Sequence, residues 1–261
     1  MSKTWTGERY RMMERVAVEN LREIKEILDN VGIEFWLDHG TLLGAVREGK
    51  IIEWDSDIDL GTWYDNAEEI ISVFPEFKRR GFSAILIKKN GIVHTKRRGY
   101  YIGINLYRKR GRYAWSVPTI YLKKMKRIEE IFFWGMNVLS LITYIRPDGK
   151  FIRRSEPFSG LLPLKLKQLL IDILWAILDR RGCIIPLIIP KHYFEKLSNT
   201  KFYNMEFNIP LDVRNYLKYR YGSDWKKPVK EWKYEDDGAL NRKIRLCDFD
   251  FSTMHANKTT S

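Results

Sequence analysis

The sequence predicts a mixed α/β fold, in which helices alternate with strands early in the chain and a run of strands follows. Three observations carry that reading. Apolar residues recur at three- and four-residue spacing between residues 9 and 30, the mark of an amphipathic helix. Short apolar or alternating segments between residues 82 and 117 are punctuated by Asn90-Gly91 and by a basic turn, as in consecutive hairpins. Between these regions lie an apolar run, a glycine–threonine turn, and Asp55, Asp57 and Asp59 at alternate positions.

Taken in order, Met13, Ala17, Leu21, Ile24, Leu28 and Val31 form the buried stripe of the first helix, and Gly32 stops it. Residues 33–37 read as a buried strand, 38–41 as a turn, 42–47 as a short helix and 54–60 as the next strand. Asp65-Asn66-Ala67-Glu68 has the form of a capping box, so a helix is expected from there to about Phe74, ended by Pro75. Residues 82–89 pair with 92–97 through Asn90-Gly91, and 100–107 with 112–117 through a turn at 108–111. From 119 to 183 the pattern is mostly helical. It holds a series from Leu122 to Phe132 and an apolar run at 131–145, short of the roughly 20 residues that span a bilayer. A helix at 162–178 follows, with Leu166, Leu169, Leu170, Ile173, Leu174 and Ile177 on one broad face. Residues 209–221 read as an amphipathic helix stopped by Gly222, and 232–242 as a loop. The expected division is a core of residues 1–118 and a helical extension of residues 119–261 packed on it, with a single domain as the alternative.

Composition sets the outer bounds. A chain of 261 residues, 44% of them hydrophobic, is long enough for a sizeable core. Two cysteines, Cys183 and Cys247, make neither a disulfide framework nor a metal cluster, and a reducing compartment is expected. The N-terminus lacks an apolar h-region, so no signal peptide is expected, and the expected location is the cytoplasm. The net charge of +13 is uneven: residues 78–127 hold sixteen Lys and Arg and no Asp or Glu. A solvated basic surface and a face that attracts a polyanion, an anionic membrane or a nucleotide both fit this pattern. Neither a serine triad nor a zinc spacing is present.

The chemistry concentrates in residues 35–61. On a strand, alternate side chains share a face, so Asp57 and Asp59 point the same way and Asp55 joins them at the strand's mouth. Carboxylates that close repel unless a cation neutralises them. Hard oxygen ligands suit Mg²⁺ or Mn²⁺, ions that often bridge to substrate phosphates. The turn at Gly40 and Thr41, between strand and helix, directs backbone N–H groups outward and favours phosphate. His39 lies in that turn, where a ligand contact and a purely structural role both fit.

Residues 36–59, WLDHGTLLGAVREGKIIEWDSDID, closely resemble the core motif of the LicD/fukutin family of nucleotidyltransferase-fold proteins. A second patch is similar to the family near the C-terminus: Ile209-Pro210, Tyr216-Leu217, and Tyr221-Gly222-x-Asp224-Trp225-x-x-Pro228. The resemblance implies a nucleotidyltransferase-like fold with additional helices. The family commonly places a third acid on a later strand, and the best match here puts Asn105 at that place. An asparagine offers a carbonyl oxygen to a metal but cannot act as a carboxylate base. Asp236 or Asp237 is a candidate to supply the missing carboxylate.

What the resemblance implies for function is transfer of a phospho-substituted group, such as phosphocholine or phosphoribitol, from a CDP-activated donor to a sugar hydroxyl of a glycan or glycolipid. CMP leaves. Asp57 and Asp59, with Asn105, are the expected ligands of Mg²⁺. Gly40 and Thr41 hold the donor phosphate, Arg47 or Lys50 neutralises the leaving nucleotide, and Asp55 assists the acceptor hydroxyl. A lipid-linked acceptor and peripheral membrane contact extend this expectation. Two alternatives stand beside it. One is nucleotidyl transfer from an NTP with release of pyrophosphate. The other is a non-catalytic module that binds nucleic acid or membrane through its basic face.

Overall fold

The computed structural model describes residues 7–87, 90–117, 144–145, 151–152, 164–181, 186–233 and 236–240. The chain divides into two units, one of residues 1–118 and 187–240, the other of residues 119–186 and 241–261. The first unit therefore differs from the expected division: residues 187–240 return to the core and do not join an extension. The reason is strand pairing.

That unit is built on a nine-stranded mixed sheet. Its strands are β1 (Phe35–Leu37), β2 (Asp57–Trp63), β3 (Ser83–Ile87), β4 (Ile92–Arg97), β5 (Tyr100–Arg110), β6 (Tyr113–Ser116), then β9 (Leu187–Pro190), β10 (Leu197–Phe202) and β11 (Met205–Pro210). Two further strands, β7 (Tyr144–Ile145) and β8 (Phe151–Ile152), pair with each other in the second unit. Across the main sheet the order is β10-β11-β1-β2-β5-β4-β3, and β6 joins β5 to β9. The late strand β11 lies parallel to β1, with Trp36 opposite Asn208. β2 runs antiparallel to β1 and parallel to β5. The chain leaves this unit after Ser116 and returns at Leu187, and these two residues are register partners.

Helix α1 (Gly7–Asn30) buries Ala17, Leu21, Ile24, Ile27 and Leu28, close to the predicted stripe. Val31 lies beyond its end and is exposed, because Gly32 turns the chain at φ 72°. Helix α2 (His39–Arg47) starts three residues earlier than expected. Pro75 does not end a helix; it opens one. α3 (Ala67–Ser72) stops, and α4 (Phe74–Arg79) carries the proline in its first turn, where a missing N–H costs nothing. Asp65 does not cap α3 and pairs with Lys109 instead. The hairpin of β3 and β4 forms as expected, with Gly91 at φ 67°.

The helix expected over 209–221 is a strand followed by a shorter helix, α7 (Val213–Tyr221). Residues 205–210 alternate, with Phe207 and Ile209 buried and Glu206 exposed, which is strand periodicity. Tyr203 and Asn204 both have positive φ, at 50° and 61°, and form the two-residue turn that joins β10 to β11. Between β9 and β10 sits the short helix α6 (His192–Glu195). In the second unit, α5 (Leu164–Arg180) matches the predicted helix. Its broad face is split: Leu166, Leu169 and Ile173 are exposed, whereas Leu178 is buried. The helical series expected at 122–132, Cys183 and Cys247 lie outside the described residues.

The core beside the site is aromatic. Trp36 is fully buried and stacks on Phe194 at 4.6 Å, with Tyr107 and Trp63 at 6.0 and 5.5 Å. Its indole lies flat across Gly61, its partner on β2, where a Cβ would overlap Nε1 and come within 2.6 Å of Cε2. Gly61→Ala should therefore destabilise the fold by about 1–3 kcal/mol, the usual cost of overpacking. A thermal or urea unfolding comparison with wild type checks this.

Candidate active site

Strand β2 sets the acids apart from the core by its pleat. Ile58 and Leu60 are fully buried, while Asp57 and Asp59 turn to the opposite, partly open face. The parallel register with β5 puts Asp57 beside Tyr101, Asp59 beside Gly103 and Gly61 beside Asn105. Gly103 leaves room for the Asp59 carboxyl, whose Oδ1 would lie 3.0 Å from an added Cβ.

Helix α2 delivers the other half. Asp38 caps it, its carboxylate accepting from the N–H of His39 at 2.9 Å. The N–H groups of Gly40 and Thr41 lie in the first turn and have no carbonyl four residues back inside the helix, so the helix presents them to a ligand. Thr41 Oγ1 accepts from the N–H of Asp59 at 2.9 Å, which ties the helix start to the acid strand and leaves the hydroxyl proton as a donor.

The two glycines of this helix explain where Asp55 sits. An added Cβ at Gly44 would meet the carbonyl oxygen of Lys50 at 2.6 Å, and one at Gly40 would overlap Oδ2 of Asp55. The segment from Lys50 to Asp55 thus runs back along a bare face of α2 and brings Asp55 to the helix N-terminus. Ile51 and Ile52 are buried beneath it. Tyr10 donates to the carbonyl of Ile51 at 2.8 Å, and the Tyr203 hydroxyl accepts from the Ile51 N–H at 2.9 Å.

Asp55, Asp57, Asp59, Gly40 and Thr41 therefore come together. Asn105 joins them: it is fully buried, its Nδ2 donates to Asp59 Oδ1 at 3.4 Å, and its Oδ1 has no hydrogen-bond partner among the described residues. Arg47 and Lys50 do not join them. Arg47 is in the last turn of α2, roughly 10 Å along the axis from Gly40 at 1.5 Å per residue. Its guanidinium is paired with Glu48, and the Lys50 ammonium lies 5.9 Å from the Tyr10 ring. Asp237 does not supply a third acid, because Arg220 holds it; the Asp236 N–H bonds to the Lys233 carbonyl.

Electrostatics marks the acids as strained in the absence of a cation. Burial pushes Asp55 well above the ordinary carboxylate range, and the neighbouring charge of Asp57 adds to it. Burial raises Asp57, opposed by its hydrogen bond with Asp55. Burial raises Asp59 strongly, with contributions from Asp57, Asp38 and Asp55. Among the described residues no three His, Cys, Asp or Glu side chains form a ready coordination shell. The residues present nonetheless fit a magnesium ion. Mg²⁺ is commonly held by one or two carboxylates plus water and substrate phosphate, and the orphaned amide oxygen of Asn105 adds a neutral donor.

One assembly had no counterpart in the sequence reading. Asp38, fully buried, accepts from the Tyr107 hydroxyl at 2.7 Å and the Tyr216 hydroxyl at 3.0 Å, with the Arg220 guanidinium 3.5 Å away. Arg220, fully buried on α7, forks onto Asp237 and donates to Nδ1 of His39 at 3.1 Å. Burial pushes Asp38 up, but the Arg220 charge and the hydrogen bonds from the Tyr107 hydroxyl and the His39 N–H hold it below its ordinary value. Burial and the Arg220 charge bring His39 down to about 4, so it is neutral at pH 7 and Arg220 carries the compensation. His39 adopts φ 45°, a left-handed conformation that costs a non-glycine residue on the order of 1–3 kcal/mol. The signals were short-range ones: Tyr107 two residues beyond Asn105 on one strand face, and Tyr216 and Arg220 four apart on one helix face.

A mixed sheet that sets acids of one strand beside the N-terminus of the preceding helix defines a nucleotidyltransferase-like fold. Residues 32–138 match the family described as LicD/FKTN/FKRP, nucleotidyltransferase domain. An uncharacterised protein of Rickettsia typhi is 35% identical over 33% of this chain and 28% of its own length. The human ribitol 5-phosphate transferase FKRP is 42% identical over 20% of this chain and 10% of its own. The human ribitol-5-phosphate transferase FKTN is 22% identical over 84% of this chain and 35% of its own. The chain thus spans no more than about a third of the length of these relatives. Among solved structures, the lincosamide antibiotic adenylyltransferase LnuA, with lincomycin bound, superposes at a TM-score of 0.34 with 11% identity, over 74% of this chain and 78% of its own.

The raised carboxyls predict a pH dependence. A group whose folded pKa lies above its unfolded value of 3.8 stabilises fully below that value, and loses the contribution as pH rises through the folded pKa. In EDTA, wild type should therefore lose Tm relative to Asp57→Asn/Asp59→Asn between about pH 4 and about pH 8. Mg²⁺ should close the gap at the higher pH in wild type only. Thermal unfolding at the two pH values, with and without metal, checks both statements.

Proposed function

We propose that this chain is a metal-dependent transferase that moves a phospho-substituted group, of the phosphoribitol or phosphocholine type, from a CDP-activated donor to a sugar hydroxyl of a glycan or glycolipid. The observation that carries the reading is the pairing of Asp57 and Asp59 on β2 with the N-terminus of α2, tied by the hydrogen bond from Asp59 N–H to Thr41 Oγ1. An anion-binding helix start beside a carboxylate pair is the apparatus for transfer at phosphorus. The names of FKRP and FKTN as ribitol 5-phosphate transferases support the same class of transferred group.

In this reading Gly40 and Thr41 bind the donor phosphates through backbone N–H groups and the threonine hydroxyl. Asp57 and Asp59, with the amide oxygen of Asn105, would hold Mg²⁺, and the ion would supply positive charge against the phosphate oxygens. The acceptor hydroxyl oxygen forms a new bond to the phosphorus that carries the transferred group. The bridging P–O bond breaks and CMP leaves with its electron pair. Asp55, held against Gly40 beside the other acids, accepts the hydroxyl proton. Arg47 and Lys50 take no part.

The basic stretch 78–127 gives less support to a nucleic-acid module than its composition suggests. Acids from elsewhere cover part of it: Arg80 pairs with Glu23, Glu26 and Glu76, and Arg98 with Glu19. The peripheral membrane contact proposed for a lipid-linked acceptor concerns the exposed Leu166, Leu169 and Ile173 of α5. Among the described residues no helix is long and apolar enough to cross a membrane.

A thermal-shift screen tests the donor. CDP-ribitol, CDP-choline, CDP-glycerol and plain NTPs are compared with and without Mg²⁺, on wild type and on Asp57→Asn/Asp59→Asn. One CDP conjugate should stabilise wild type by about 2.7 kcal/mol at a hundredfold excess over its Kd, only with metal, and not the double variant. CMP release with a glycan acceptor should accompany it. A metal-dependent shift with NTPs alone, with pyrophosphate release, would replace this reading by nucleotidyl transfer.

A further inference from the structure

His39 occupies the left-handed region at φ 45° on the first position of α2, directly before Gly40 and Thr41. No glycine eases that conformation, so contacts must hold it. Arginine only donates, so the 3.1 Å contact makes His39 Nδ1 the acceptor and puts the ring proton on Nε2. Nε2 faces Asp38 Oδ2 and the Tyr107 hydroxyl, both at 3.5 Å. Both ring nitrogens are thus engaged, and the ring serves as a strut, with no lone pair left to take a proton.

The strut ends on an element far away in sequence. Arg220 donates to His39, to the Tyr216 hydroxyl at 3.2 Å, and lies 3.5 Å from Asp38 Oδ1. Its own position is fixed by Asp237, whose Oδ1 also accepts the Ala239 N–H at 2.9 Å. Gly238 closes this loop onto α7, its N–H bonded to the Arg220 carbonyl at 2.9 Å, in a space where a Cβ would overlap the Tyr219 carbonyl. Every member of the chain of contacts from Asp237 through Arg220 to Asp38 is buried.

We propose that Arg220 is a positioning residue for donor binding, acting through His39 Nδ1 and Asp38 Oδ1 to hold the 38–41 turn in its phosphate-binding conformation. The helix α7 and the loop at 236–239 then form a remote clamp on the site. The inference rests on the reading that this turn binds the donor phosphates.

The test uses Arg220→Lys, which keeps the charge but not the fork, with His39→Ala and His39→Asn. Asparagine tolerates positive φ and offers a carbonyl to Arg220, whereas alanine does neither. Two readouts are taken on the full chain. In the first, KM for the CDP donor should rise about tenfold to a hundredfold in Arg220→Lys and His39→Ala, with kcat changed less. His39→Asn should recover part of the loss, and the double variant Arg220→Lys/His39→Ala should be no worse than either single one. In the second, amide exchange at Gly40, Thr41 and Leu42 should accelerate in both single variants relative to the Ile102 and Ile104 amides, which report global opening. Additive KM effects, or turn amides that keep pace with the β5 amides, would overturn the clamp. If wild type binds no CDP conjugate, the donor reading falls, and the exchange ratio alone decides whether Arg220 holds the turn. Should Arg220→Lys fail to fold, the two His39 variants give both readouts.

Discussion

Asp55, Asp57 and Asp59 repel one another where water screens them only in part, and the neighbouring structure limits that cost without removing it. The N-terminus of α2 turns its positive end toward them. Asn105 on β5 donates its amide to Asp59 and adds no further negative charge. Asp55 and Asp57 share a hydrogen bond. Asp38 brings one more buried carboxylate close to the site, and it is balanced separately by Arg220 and two tyrosine hydroxyls. The remaining imbalance is what a divalent cation and a phosphate together would relieve. Residual strain of this kind is stability given up to keep a site ready for a charged ligand.

Placement of the acids depends on small residues as much as on charged ones. Gly40 and Gly44, one helical turn apart, strip a face of α2 bare, so the return segment can lie against helix backbone. Gly61 does the same for the Trp36 indole and Gly103 for the Asp59 carboxyl. At none of these four positions is left-handed backbone involved; the requirement is close approach.

The central part of this architecture was legible in the sequence because it is local. Alternation put Asp57 and Asp59 on one face, a glycine–threonine turn marked the helix start, and Asn90-Gly91 marked a hairpin. The misreadings were of two kinds. Where a signal is ambiguous, a competing rule wins: Pro75 opens a helix as readily as it ends one, and Ile209-Pro210 belongs to a strand in which Phe207 and Ile209 alternate, not to the helix after it. Where partners lie far apart in sequence, no periodicity could find them. Nothing local tells that Arg220 reaches His39, or that β11 fills the place beside β1. Nor does the motif itself show that the length of α2 carries Arg47 away from Gly40.

The parallel pairing of Trp36 with Asn208 has a consequence for how the molecule comes into being. Half of the site's framework is made early and waits for the other half. During synthesis, β1, α2 and β2 emerge with one side of β1 unpaired, and Asp38 is without its arginine until Arg220, 182 positions later, has followed. Contacts of such long sequence separation slow folding and leave an open strand edge in the interval. The intervening residues lengthen that interval, yet Ser116 and Leu187 on either side of them are register partners, so the closed loop adds only a slowly growing entropic cost. The site in this sense depends on residues 205–239 as much as on the motif at 36–59.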